Sequence, residues 1–146
     1  MRVSRGAFAL VLAAATVLVP TLLPPTAAVA ATTCHGNACD GQSPKATGCA
    51  ADAQTIPDTA VPPGHHQAVH AWLRYSKKCH SVWAQADKSN GWGFRLQTDK
   101  VSYDGTTVMS GPTYTSMTGA DQRHRVGLQD AGDGQWTYGD WRKGGL

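Results

Sequence analysis

The chain has 146 residues, with 13 Lys and Arg against 10 acidic residues, and charged residues make up only 16% of it. Every acidic residue is Asp, which excludes the metal and acid–base motifs that require Glu. The length excludes a pair of nucleotide-binding domains, and the small net charge excludes a strongly basic nucleic-acid binder.

Residues 1–30 have the pattern of a signal peptide that is removed on export. Arg2 and Arg5 form a short positive region, residues 8–19 are mostly apolar, and Ala28-Val29-Ala30 supplies small residues for cleavage. The apolar run is shorter than the about 20 residues of a membrane span, so a retained anchor is the weaker alternative. Cleavage leaves 116 of the 146 residues, and losing two Arg lowers the formal charge from +3 to +1. We expect a secreted, extracellular, single-domain protein with no membrane contact after cleavage and no nucleic-acid partner.

The cysteines predict disulfide bonds. An even number of cysteines in a small exported chain indicates two bridges, although the spacing leaves all three pairings open. Zinc is disfavoured because there is no C-x-x-C pair. Residues 31–64 contain most of the cysteines, are rich in Gly and Pro, and show no clear period. We predict an irregular crosslinked lobe here that forms one structural unit with residues 65–146. The four cysteines are Cys34, Cys39, Cys49 and Cys79.

The alternation of apolar and polar residues after His66 is typical of β-strands. Residues 69–75 predict a first strand and residues 82–86 a second one. Asn90-Gly91 predicts a hairpin turn. A third strand follows, with four residues on one face: Trp92, Phe94, Leu96 and Thr98.

Shorter strands and turns are predicted towards the C-terminus. Residues 101–103 lead into a turn at Asp104-Gly105, and residues 106–109 return. Further strands are predicted at 114–117 and 124–128, and a Gly/Asp turn at 130–134 precedes Trp136 and Tyr138. About seven short strands and almost no helical period predict an all-β fold, either a small antiparallel β-barrel or a sandwich.

Four short motifs lie between Cys34 and Ala84. They are Cys39-Asp40-Gly41-Gln42-Ser43-Pro44, Thr47-Gly48-Cys49, Leu73-Arg74-Tyr75-Ser76-Lys77-Lys78-Cys79 and Trp83-Ala84. Together they resemble the YjfA-like family of small exported or surface-displayed bacterial proteins, common in actinobacteria and of unassigned function. The resemblance implies a secreted all-β domain without established catalytic residues. Some small secreted proteins of this general kind are linking subunits of extracellular particles, including antagonistic toxins.

Arg74 is the most distinctive charged residue of these motifs. It lies on the strand face opposite Leu73 and Tyr75, close to Trp72 and, across a turn, to Trp83. A guanidinium can stack on indoles and still donate to backbone carbonyls. We expect Arg74 and Trp83 to hold the lobe against the sheet rather than to bind a ligand.

Two groups of side chains could in principle bind a metal. His65, His66 and His70 are close in sequence, but on a strand His66 and His70 lie about 13 Å apart, so a solvated patch is favoured over zinc. Asp130 and Asp133 resemble a calcium loop that lacks its terminal Glu, so a hairpin turn is favoured. We predict no metal and no cofactor.

The sequence shows no recognisable nucleophile. Ser110 precedes Gly111, but no G-x-S-x-G surrounds it, and we expect every cysteine to be in a disulfide. We therefore predict no catalytic residues, and a hydrolase or an inhibitor is the weakest function class.

The C-terminal region is rich in aromatic residues, which either complete the core and its edge or form a binding surface. Packing is the favoured role, and Trp136, Tyr138 and Trp141 are the binding candidates, with Arg123, Arg125 and Arg142 as nearby donors. The leading hypothesis is a secreted, disulfide-stabilised, non-catalytic interaction module, an adaptor or linking subunit that binds other secreted proteins. The alternative is a carbohydrate or cell-wall binding domain.

Overall fold

The computed structural model describes residues 34–61, 69–87 and 91–146. The predicted signal peptide and two of the three candidate histidines, His65 and His66, lie outside these ranges. The described strands form two antiparallel sheets that do not close into a barrel, which confirms the all-β prediction and decides between its two forms. No helix within the described ranges is long and apolar enough to cross a membrane.

Ten strands lie within the described residues. In chain order they are β1 (Gln54–Thr55), β2 (Ala71–Ser76), β3 (Ser81–Ala86), β4 (Gly93–Thr98), β5 (Ser102–Thr106), β6 (Thr113–Tyr114), β7 (Thr118–Gly119), β8 (Arg123–Gln129), β9 (Trp136–Tyr138) and β10 (Arg142–Lys143). The first sheet has the order β1-β2-β3-β6, with β7 also pairing with β3, and the second has the order β10-β8-β4-β5, with β9 also pairing with β8. The strands predicted at 69–75, 82–86, 92–98 and 124–128 correspond to β2, β3, β4 and β8.

The main core lies between the two sheets. Because side chains alternate along a strand, each long strand contributes every second residue to this core. Fully burying an aliphatic or Phe side chain stabilises the fold by about 1.5–3 kcal/mol. The core residues of the longer strands are Ala71, Leu73, Val82, Ala84, Ala86, Phe94, Leu96, Val126 and Leu128.

The cysteine lobe packs on the other face of β3. Trp83 is buried there among three cysteines and Met117. Disulfides join Cys34 to Cys39 and Cys49 to Cys79, which confirms the prediction of two bridges. The lobe is irregular, with two short 3-10 helices at Gly36–Cys39 and Cys49–Asp52. The layers are therefore the lobe, the first sheet, the core and the second sheet, whose far side is the surface described below.

The hairpin predicted at Asn90-Gly91 is wrong. β3 belongs to the first sheet and β4 to the second, so the chain passes from one sheet to the other between them. Gly91 has φ +76°, a value that suits glycine, and Asn90 lies outside the described residues.

The turn predicted at Asp104-Gly105 is also wrong, because both residues lie inside β5. Gly105 faces Phe94 on β4, and a Cβ at Gly105 would lie 2.6 Å from the Phe94 ring. Asp104 faces Arg95 and pairs with it. The glycine here marks a close approach of a side chain to the backbone rather than a change of direction.

Of the strand predicted at 114–117, only Tyr114 lies in a strand, at the end of β6, and β7 begins at Thr118. Met117 lies between the two strands and is buried against Trp83, and its backbone forms an isolated bridge with Asp40 of the lobe. The lobe thus interrupts what the sequence pattern presents as one strand.

Candidate interaction surface

The far side of the second sheet carries three arginines and three aromatic residues. Phe94 and Leu96 point into the core from β4, so Arg95 and Gln97 point outwards. The same alternation on β8 turns Arg123 and Arg125 outwards. We call the surface formed by Arg95, Arg123, Arg125, Trp136, Tyr138 and Trp141 the aromatic–arginine face.

Guanidinium groups and rings are in contact along this face. The Arg95 guanidinium lies 4.2 Å from the centre of the Trp136 ring, and Trp136 stacks on Tyr138 at 6.2 Å. The Arg125 guanidinium lies 4.0 Å from the centre of Tyr138 and 4.6 Å from that of Trp141. Such contacts each contribute about 0.5–1 kcal/mol at exposed sites and fix the positions of long side chains.

Two of the arginines bind carboxylates of the same polypeptide. Arg95 donates from Nε and Nη2 to the carboxylate of Asp104, at 2.5 and 2.9 Å, and Arg123 donates in the same way to Asp99 at 3.0 and 2.7 Å. The hydrogen bonds from Arg95 lower the pKa of Asp104, and those from Arg123 lower the pKa of Asp99. Both acids are therefore charged at neutral pH, and each compensates its arginine.

The third arginine, Arg125, has a different partner. Its Nε donates to the side-chain oxygen of Gln97, which lies directly opposite on β4, at 2.8 Å. Because an amide is neutral, this hydrogen bond orients the guanidinium without compensating its charge.

Gly127 makes room for the aromatic rings. It lies on β8 opposite Tyr138, and a Cβ at this position would lie 2.6 Å from Tyr138 Cε1 and 3.2 Å from the Trp136 ring. Any larger residue would displace the rings from the arginines. The absence of a side chain at Gly127 thus allows the rings to contact the arginines.

The structure brings five predicted binding candidates together: Arg123, Arg125, Trp136, Tyr138 and Trp141. The three aromatic residues are partly exposed, so they belong to the outer face of the sheet and its margin. Arg142 lies elsewhere, opposite His124 on the other side of the sheet, and its Nη2 donates to the backbone oxygen of Asp58.

Sequence reasoning missed Arg95 as a member of this face, and with it Gln97, Asp99 and Asp104 as the partners of the arginines. A signal was present for two of them, because Arg95 and Gln97 alternate with the core residues Phe94 and Leu96. Asp104 could not be found because it was assigned to a turn.

The face continues at one end into a crevice of about 350 Å³. Asp99 and Arg123 form part of its wall, so the crevice begins where the row of arginines ends. Its lining contains charges of both signs: Asp99, Lys100, Asp121, Gln122, Arg123 and Lys143.

The other candidate ligands have local structural partners. His70 Nδ1 lies 3.0 Å from a carboxylate oxygen of Asp87. The carboxylates of Asp130 and Asp133 accept hydrogen bonds from the backbone N–H groups of Gly132 and Gln135, at 2.7 and 2.9 Å. The two Asp side chains thus support the turn between β8 and β9.

The motif residues of the N-terminal half join the lobe to the first sheet. Arg74 donates from Nη2 to the backbone oxygen of Ala53 at 2.8 Å and from Nη1 to Thr55 Oγ1 at 2.9 Å. Asp40 accepts a hydrogen bond from the N–H of Gly119 at 2.7 Å. Ser76 donates to Asp52 and accepts from the backbone N–H of Cys79.

The remaining motif residues also have structural positions. Gly41 has φ +76°, and the backbone oxygen of Pro44 accepts from the N–H of Ala50. Leu73 and Ala84 face each other in the core, and the Tyr75 hydroxyl lies 3.3 Å from Nδ1 of His80.

Residues 37–138 match a protein family of unknown function, DUF2690. The chain belongs to the DUF2690 family. No curated protein and no solved structure matches it. The expectation of a family without assigned function is confirmed. The DUF2690 match includes Arg95, Arg123, Arg125, Trp136 and Tyr138 of the aromatic–arginine face and ends before Trp141.

Proposed function

We propose that this protein is a secreted, non-catalytic interaction module, an adaptor or linking subunit that binds another secreted protein through the aromatic–arginine face. The observation that carries the proposal is the continuous contact between three arginines and three aromatic rings on the outer face of one sheet, which Arg123 joins at 5.3 Å from the centre of the Trp141 ring. Trp, Tyr and Arg are the residues most enriched at the energetic centres of protein interfaces. Rings and guanidinium groups already held in place lose little conformational entropy on binding.

The surroundings of the face also favour a protein partner. The lobe and the core cover both sides of β3, so the first sheet is packed on both faces there. The second sheet is packed on its inner side and carries the aromatic–arginine face on its outer side. A linking subunit needs such a surface on a rigid support, and two disulfides and a β-core provide that support.

The predicted export agrees with this role. Two disulfides fit an oxidising compartment, and residues 1–30 have the signal-peptide pattern described above. From the resemblance to the YjfA-like family we propose an actinobacterial source. Such an adaptor would work in an extracellular particle, such as an antagonistic toxin.

Recovery of complexes from culture supernatant tests the proposal. The tagged protein is purified from its producing bacterium, and co-purifying proteins are measured for the native form and for Trp136→Ala and Trp141→Ala. Trp72→Ala, the same change on β2 of the other sheet, is the control, and thermal unfolding verifies that each variant is folded. We expect a defined secreted partner with the native protein and the control, and its loss with both face variants. A strictly monomeric protein, or a partner retained by both face variants, would contradict the proposal.

Carbohydrate or cell-wall binding is the second candidate, because three aromatic side chains share one partly exposed face. Sugar rings stack on ring faces, however, and guanidinium groups already lie over all three rings. Sedimentation with purified cell walls tests this candidate, which requires retention of the native protein and its loss in Trp136→Ala and Trp141→Ala. A broad panel of hydrolase and inhibition assays tests the weakest class.

A further inference from the structure

The three arginines of the aromatic–arginine face differ in how their charges are compensated. Arg95 donates two hydrogen bonds to the carboxylate of Asp104, and Arg123 donates two to that of Asp99. Arg125 lies between them along the face and donates only to neutral Gln97. Within the described residues, it is the member of this group whose charge has no carboxylate partner.

Arg125 is nevertheless held in a defined position. Its Nε hydrogen bond and its contacts with the rings of Tyr138 and Trp141 fix the plane of the guanidinium. Nη1 and Nη2 make no hydrogen bond with the described residues and are not buried, so both reach solvent. A guanidinium held in this way presents two N–H groups side by side, the arrangement that the two oxygens of a carboxylate accept.

We infer that Arg125 binds a carboxylate of the partner protein at the centre of the interface. The inference rests on the proposed function, because a protein must dock on the aromatic–arginine face. When that face is covered, an uncompensated guanidinium loses its water, which is costly unless the partner supplies an anion. The neighbouring arginines show that guanidinium–carboxylate pairs are formed on this sheet. An Asp or Glu side chain offers this chemistry, and so does the free carboxylate at the end of a polypeptide.

A titration with acetate tests the anion site without any partner. The full disulfide-bonded protein is labelled with 15N, and the indole N–H signal of Trp141, assigned with Trp141→Phe, is followed in sodium acetate and in sodium chloride at equal ionic strength. We expect a shift that is specific to acetate, that falls at least about threefold in Arg125→Lys and Arg125→Gln, and that persists in Arg142→Gln, a control on the other side of the same sheet. Identical shifts in both salts, or an undiminished response in both Arg125 variants, would overturn the inference.

Affinity for the co-purified protein partner provides the second test. Arg125→Lys keeps the charge but removes the paired N–H groups, so we expect both Arg125→Lys and Arg125→Gln to weaken binding at least about tenfold, with Arg142→Gln close to the native value. Extension of the partner's C-terminus abolishes binding if its terminal carboxylate is used, whereas Asp→Asn and Glu→Gln changes in the partner do so if a side chain is used.

The two proposals fail in different ways. Binding that is lost in Trp136→Ala and Trp141→Ala but unchanged in both Arg125 variants refutes the carboxylate contact and leaves the proposed function standing. Binding that no variant of this face changes refutes both. Capture by an acidic cell-wall glycan, without any protein partner, also refutes both.

Discussion

His124 makes the stability of the folded protein depend on pH. Its side chain is completely buried on β8, where Nε2 lies 2.8 Å from Thr118 Oγ1 and 3.2 Å from the backbone oxygen of Gly119. Nδ1 is buried and has no partner within the described residues. Protonation of the ring would therefore create a buried charge and an N–H without an acceptor. Burial lowers the pKa of His124 from 6.5 to about 4, although Gly119, Asp40 and Asp99 act in the opposite direction.

The sign of the effect follows from proton binding. Between pH 6.5 and pH 4 the unfolded chain binds a proton at His124 and the folded protein does not, so acidification favours unfolding. Above pH 6.5 the neutral His124 contributes its full share to the free energy of unfolding, and this share is lost as the pH falls towards 4. For these two pKa values we expect the free energy of unfolding to decrease by roughly 2–3 kcal/mol from pH 7.5 to pH 4.5.

Urea unfolding of the oxidised protein at these two pH values measures the effect, with His124→Gln as the matched variant. Glutamine can still donate to the Gly119 oxygen but does not titrate, so its pH dependence should be smaller than the native one by roughly 2 kcal/mol. Carboxylates with a lowered pKa, such as Asp104, are present in both proteins, so their contribution cancels in the comparison. Equal pH dependence in the native protein and in His124→Gln would refute the reasoning.

Three further predictions concern the aromatic–arginine face and the lobe. Gly127→Ala should lower the free energy of unfolding, measured by thermal unfolding, by about 1–3 kcal/mol, because the new methyl group meets Tyr138. Gly111→Ala is the control: a Cβ there meets nothing within 4 Å, so the free energy of unfolding should change by less than about 0.5 kcal/mol. Asp104→Asn should cost at most about 1 kcal/mol, because the Asp104 side chain is 58% exposed, and the difference should diminish in 1 M salt. Replacing both cysteines of a bridge by serine should lower the free energy of unfolding by about 2 kcal/mol for Cys34–Cys39 and by about 4 kcal/mol for Cys49–Cys79. The difference arises because the bridged residues are 5 and 30 positions apart, so the second bridge closes a longer loop. Equal losses in urea unfolding would show that loop entropy does not determine the difference.

Sequence patterns predict those parts of this fold that depend on local alternation. β2, β3, β4 and β8 each place apolar side chains at every second position, and the structure contains all four strands. Sheet membership depends instead on long-range pairing. Asn90-Gly91 favours a tight turn between β3 and β4, but it does not determine whether the two strands pair, and here they enter different sheets.

The Asp104-Gly105 dipeptide shows the same limit more sharply. As a local signal it favours a turn, but in the structure each residue contacts a side chain on β4. Gly105 leaves room for the Phe94 ring, and Asp104 accepts a hydrogen bond from the Arg95 guanidinium. Neither contact can be recognised before the register of β4 and β5 is known. For this reason the sequence indicated the aromatic residues of the face and two of its arginines, and not the carboxylates that compensate the arginines.

Those carboxylates would make the proposed binding at the face chemically selective. If only the rings and arginines are considered, the face is a cationic aromatic surface that would bind many anions. Asp104 and Asp99 neutralise the two outer arginines and leave the positive charge at Arg125, which the rings of Tyr138 and Trp141 hold in place. One positioned charge between two neutralised arginines disfavours polyanions, which gain from many separate contacts, and favours a single carboxylate at a defined position. Restoring the outer charges with Asp99→Asn and Asp104→Asn should therefore strengthen non-specific binding to polyanions such as heparin, and should do so most at low salt.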